Sequence, residues 1–125
     1  MGKAVFIARD VVQGLVDYAR HLHPEEGILL LRGKLSKDRI MVEEIVIPPF
    51  ASRGRAFSSF PLFTLPMDAS IVGVAHSHPS GHLKPSPEDL NNFYGRIMVI
   101  VGYPYRFEDV AVFNRDGEPV KFEIL

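Results

Sequence analysis

The stretch SIVGVAHSHPSGHLKPSPED, residues 70–89, decides how the rest of the chain is read. Ser70 to His76 is an apolar run rich in β-branched residues, which predicts a strand. Pro79-Ser80-Gly81 predicts a turn. Ser86-Pro87-Glu88-Asp89 has the marks of a helix start: a capping Ser, Pro at the first helical position and acids in the first turn. The helix is predicted to be short, running to Tyr94.

Strand, turn and helix start bring polar chemistry together. His76 and His78 are two residues apart, so on an extended segment their side chains share a face and Ser77 points away. Both imidazoles can then reach one ion at ~2.0–2.1 Å. Asp89, on the first helical turn, can be folded back onto them by the intervening loop. Two imidazoles and one carboxylate leave a fourth tetrahedral position for water, the mark of a catalytic zinc site. The chain has no cysteine, so any metal must be held by His and carboxylate. Each of these residues also has an ordinary role. His-x-His pairs are common in loops, an acid suits a helix N-terminus, and Ser86 is a natural cap. His82 reads as a solvated loop residue. His21 and His23, at a helix end, read as structural.

Outward from this stretch, Val5 to Ile7 predicts a first strand. Val12, Leu15, Val16, Ala19 and Leu22 give one apolar helical face, with Asp10 as the cap and Pro24 as the stop. Gly27 to Leu31 reads as a strand buried on both faces, with Gly33-Lys34 as a turn. Ile40 to Ile47 is the next strand, ended by Pro48-Pro49. Residues 51–55 read as a loop, and 56–65 as strand-like with poor alternation. Ile97 to Val101, Val110 to Asn114 and Val120 to Ile124 complete the set, with Asp116-Gly117 joining the last two as a hairpin. The order predicts one α/β domain (an α+β sandwich) over residues 1–125. A central mixed sheet is flanked by a long N-terminal helix and a short helix after the histidines.

The full pattern resembles the JAMM (MPN+) zinc metalloprotease family. That motif is His-Ser/Thr-His-Pro, with seven residues between the second His and a Ser, two more, then Asp; His76 to Pro79, Ser86 and Asp89 match every spacing. The family also carries a Glu at the start of an apolar strand that ends in Gly seven residues later. Glu26 fits, since Gly33 is seven residues on, whereas Glu25 misses the register by one. The resemblance implies a JAMM/cytidine-deaminase-like fold with one zinc ion per chain. It implies that His76, His78 and Asp89 are the ligands, Glu26 the general base and Ser86 the donor to the oxyanion.

It also implies the substrate: isopeptide or peptide bonds after the C-terminal tail of ubiquitin-like small modifier or sulfur-carrier proteins and their conjugates. Short stand-alone chains such as this one resemble archaeal and bacterial members. An extended tail can add to a strand edge. The segment 53–63, with Arg53, Arg55 and Phe57, is the candidate docking strand. Alternatives are the processing of C-terminally extended sulfur-carrier precursors or short peptides, a non-catalytic scaffold of the same fold, and an iron(II) oxygenase triad.

Charge and hydropathy narrow the partners. A net charge of −1 without long runs of one sign argues against a broad nucleic-acid-binding face. No apolar stretch approaches the ~20 residues that cross a bilayer. Met1 to Ile7 lacks a long apolar signal core, which predicts a cytoplasmic protein. The oligomeric state is open, a homodimer included.

Overall fold

The computed structural model describes residues 2–48 and 68–125. Elements in chain order are β1 (Ala4–Ile7), α1 (Arg9–Leu22), β2 (Ile28–Leu35), β3 (Arg39–Val46), β4 (Ile71–His78), α2 (Pro87–Asn91), β5 (Ile97–Gly102), a 3₁₀ turn (Phe107–Asp109), β6 (Val110–Phe113) and β7 (Phe122–Ile124). The strands form one mixed sheet in the order β6-β5-β4-β2-β3-β1-β7. β4 runs parallel to β5 and antiparallel to β2, which places it inside the sheet beside the central strand β2. The predicted α/β class is observed.

Alternation along the central strands builds two cores, because successive side chains point to opposite faces. Leu29 and Leu31 of β2, Ala75 of β4 and Val99 and Val101 of β5 pack with α1. Ile28, Leu30, Val74, Met98 and Ile100 form the other face, against Leu83, Phe93 and Tyr94. The apolar stripe of α1 is buried as predicted, with Val11 added to it.

Four local expectations are corrected. Asp10 does not cap α1: the cap is Ala8, without a side-chain hydrogen bond, and Asp10 lies inside the first turn. Backbone serves instead, since the Arg9 N–H donates to the Leu125 carbonyl at 2.8 Å. Gly33-Lys34 is not a turn. β2 continues to Leu35 through a bulge at Arg32/Gly33, and the chain reverses at Ser36–Asp38. α2 stops at Asn91 rather than Tyr94, because Phe93 and Tyr94 turn to the second core and Gly95, at φ 84°, bends the chain. The C-terminal hairpin survives only as its turn and one bridge, Phe113 to Pro119. Pro119 has no N–H for a ladder. Val120 still donates to Val112 of β6 at 2.8 Å, but Phe122, two residues on, pairs with Val5 of β1 at the opposite edge. The twist of the sheet brings these edges together.

Pro49, the loop at 51–55, the strand-like run at 56–65 and the residues Arg53, Arg55 and Phe57 lie outside the described residues.

Candidate active site

All eight residues of β4 are buried, so its two histidines enter a dry part of the molecule. His76 and His78 share one face of the strand. Ser77 faces the other, where its Oγ accepts from the Gly27 N–H at 2.9 Å. Ser86 caps α2: its Oγ accepts from the Asp89 N–H at 3.0 Å, and its own N–H donates to Asp89 Oδ2 at 2.9 Å. This capping box turns the Asp89 carboxylate back toward β4. There Oδ1 lies 3.5 Å from His76 Nδ1 and Oδ2 lies 3.1 Å from His78 Nε2. The three residues singled out by spacing therefore meet in space.

Their electrostatics differ with burial. Burial pushes His76 down to about 4, against the pull of Asp89, so it is neutral at pH 7. Burial also opposes charge on His78. The hydrogen bond to Asp89, the His82 carbonyl, and the charges of Asp89 and Glu26 outweigh it and raise His78 above 6.5. Burial raises the Asp89 carboxyl, but the His78 hydrogen bond, the charge of His76 and the Ser86 N–H bring it down to about 2. The His76 contribution to Asp89 requires a charged His76, which exists only below about pH 4. With His76 neutral, the His78 hydrogen bond and the Ser86 N–H are what favour the Asp89 carboxylate.

The donor set fits a divalent cation. His78 Nδ1 donates to the His82 carbonyl at 2.7 Å, which leaves the lone pair of neutral His78 on Nε2, facing a carboxylate oxygen. Two acceptors in that position need a proton or a metal between them. A carbonyl behind the distal nitrogen is also the usual outer support of a metal-bound imidazole. His76 Nε2 is buried with no hydrogen-bond partner, which ordinarily costs about 1–3 kcal/mol. Among the described residues no three donors already stand in ligand geometry, and Asp89 bridges the two rings directly.

A cleft of ≈ 540 Å³ opens over these groups, lined by Glu26, His78, Ser86 and Asp89 and rimmed by Lys84 and Glu88. Glu26 is exposed, one residue before the buried Gly27 that precedes β2. Ser86 is exposed on the same cleft, and its hydroxyl hydrogen is still available because Oγ is used as an acceptor in the cap. His82 is solvated as predicted, but its backbone carbonyl supports His78. No side-chain signal in the sequence points to that. His23 lies outside the cleft, with Nδ1 2.7 Å from the Tyr105 hydroxyl and its ring stacked on Tyr103.

Residues 8–114 match the family of prokaryotic homologues of the JAB domain. The chain belongs to this family. A relative from Haloferax volcanii, named a probable metalloprotease, is 32% identical over 130 residues, covering 98% of this chain and 81% of the relative. A JAB1/MPN domain protein from Archaeoglobus fulgidus superposes with a TM-score of 0.70 at 35% identity, covering 95% of this chain and 97% of the other. A second structure, described as JAMM, a metalloprotease-like zinc site in the proteasome and signalosome, gives 0.71 at 30% identity over 98% and 99% of the two chains.

Membership of the JAB family agrees with the sequence resemblance and makes this chain a JAMM-type metalloprotease-like domain. Within the JAB frame, β4 supplies the two histidines and the α2 start supplies Ser86 and Asp89. Among the described residues no helix is long and apolar enough to cross a membrane.

Proposed function

We propose that this JAB-family chain is a zinc metallopeptidase. It hydrolyses isopeptide or peptide bonds after the C-terminal tail of ubiquitin-like small modifier or sulfur-carrier proteins. The observation that carries the reading is the shared cleft, in which Glu26 and Ser86 face the His78–Asp89 pair with His76 behind it. His76, His78 and Asp89 would hold the metal. When bound, zinc supplies a Lewis acid that makes water a nucleophile near neutral pH. The other steps belong to the chain's own side chains. The Glu26 carboxylate takes the proton released during attack and returns it to the leaving amine. The Ser86 hydroxyl donates to the carbonyl oxygen as it gains negative charge. His82 keeps the His78 ring in one tautomer, and the capping box keeps Asp89 aimed.

The relative named a probable metalloprotease and the structural neighbour described by its zinc site support the peptidase part. The modifier substrate rests on the motif resemblance. The test offers zinc-loaded protein a small-modifier conjugate and a C-terminally extended precursor side by side, with Glu26→Gln as control. Cleavage by the wild type, lost in a variant that keeps its zinc, supports the reading. Iron as the bound metal with oxygen-dependent turnover, or no cleavage of either substrate, overturns it.

A further inference from the structure

Ser77 lies between two candidate ligands yet takes no part in the site so far described. It is buried, and its Oγ accepts from the Gly27 N–H at 2.9 Å. The Ser77 N–H in turn donates to the Gly27 carbonyl at 3.1 Å. Gly27 is thus held at both of its backbone polar groups by one residue. The first of these bonds has a particular consequence. The Gly27 N–H belongs to the peptide unit whose other end is the Glu26 Cα, and that unit is planar. Fixing the N–H therefore fixes the plane from which the Glu26 side chain springs.

Gly27 is also closely packed. A Cβ added there would lie 2.4 Å from Leu22 Cδ1, 3.2 Å from Tyr18 Cε2 and 3.6 Å from Ser77 Oγ, so side chains from the end of α1 and the Ser77 hydroxyl crowd the same position. Beyond Gly27 the chain is unsupported by the sheet: Ile28 begins β2, paired with His76, and Glu26 is exposed on the cleft.

We propose that Ser77 is a positioning residue for Glu26. One segment of β4 then does two jobs on two faces: one face carries His78 at the cleft with His76 buried behind it, and the hydroxyl between them sets the base relative to those same histidines. The inference rests on the proposed role of Glu26 as proton acceptor. Its physical core, the Ser77–Gly27 clamp, can be read without any turnover.

The variants are Ser77→Ala and the nearly isosteric pair Ser77→Thr and Ser77→Val, which differ from each other in the hydroxyl. In zinc-free protein, amide exchange followed by NMR should show Gly27 protected in the wild type and in Ser77→Thr. In Ser77→Val and Ser77→Ala it should exchange roughly tenfold faster, the scale of one lost hydrogen bond, with Leu30 and Val74 unchanged. Equal Gly27 protection in Thr and Val variants overturns the clamp. With zinc loaded, Ser77→Val should lower kcat on the order of 10–100-fold relative to Ser77→Thr, the scale of a misplaced catalytic group, at unchanged KM and zinc content. In a Glu26→Gln background the Thr and Val variants should turn over alike, because the group being positioned is gone. The same fold-loss in both backgrounds overturns the positioning role. Should the wild type cleave nothing while the exchange pattern holds, the peptidase reading fails and the clamp stands.

Discussion

Asp89 Oδ2 accepts the Ser86 N–H at 2.9 Å and sits 3.1 Å from His78 Nε2, so one oxygen ties a helix cap to a candidate metal ligand. Ser86 completes the loop by accepting the Asp89 N–H on its side chain. A residue proposed to act on substrate therefore also sets the aim of a residue proposed to bind metal.

These two roles of Ser86 are separable. Ser86→Ala removes the cap and should cost ~1 kcal/mol of stability. It also removes a donor to the developing oxyanion, which is worth on the order of 10²–10³ in kcat. Ser86→Asp can keep the cap but has no hydroxyl to donate. It should recover thermal stability without recovering turnover. If turnover follows stability in both variants, Ser86 acts only as a cap.

The local part of this geometry was legible in the sequence. A Ser, a Pro and an Asp at capping-box spacing predict their own conformation, and His-x-His on a strand predicts a shared face. Distant partners were not legible. Gly33 looks like a turn residue, but a Cβ there would lie 1.8 Å from the Met41 carbonyl on the next strand. Asp10 looks like a cap, but the first N–H of α1 is taken by the last residue of the chain. Phe122 to Ile124 alternates like the second arm of a hairpin, yet pairs in parallel with β1. Glu26 has no local signature as a base, and its place came from the family resemblance alone.

The metal-free protein should be most stable near pH 6.5. His76 has its folded value lowered to about 4 from 6.5, so the unfolded chain binds more protons between those values. Its contribution is present above 6.5 and is lost as pH falls toward 4. The loss is about 3 kcal/mol for a shift of this size. His78 is shifted the other way. Its contribution is complete below 6.5 and is lost as pH rises through its raised folded value. Asp89, lowered to about 2 from 3.8, acts only at lower pH. Denaturant unfolding of chelator-treated protein across pH 4–8 measures this dome. His76→Gln should flatten the acid limb, and an unchanged acid limb would place the titrating group elsewhere.

Zinc should reverse the alkaline limb. Binding requires neutral imidazoles, so metal displaces the proton that His78 otherwise carries, and zinc affinity should rise with pH through the His78 titration. At a free zinc concentration 100 times the Kd, the wild type should gain ~2.7 kcal/mol. Asp89→Asn removes the ionised donor and should lose most of that gain while keeping a capping side chain. Calorimetric titration with zinc at two pH values checks both. A stabilisation by zinc that survives Asp89→Asn undiminished would remove Asp89 from the ligand set.

Two glycines separate a packing constraint from a backbone one. A Cβ on Gly14, inside α1, meets only Ile45 Cδ1 at 2.8 Å, the mobile tip of a side chain. A Cβ on Gly33 meets the Met41 carbonyl at 1.8 Å, and that carbonyl belongs to β3, which is hydrogen-bonded on both sides. Gly14→Ala gains up to ~1 kcal/mol of helix propensity against a small repacking cost, so its net effect should be close to zero. Gly33→Ala has no such offset: the bulge must open or β3 must shift, for a loss of at least ~1–3 kcal/mol. Urea midpoints of the two variants give the comparison directly. Equal midpoints would mean that the Arg32/Gly33 bulge relaxes freely, so that the close approach of β2 to β3 does not fix the register of the strand that begins at the Ser77 clamp.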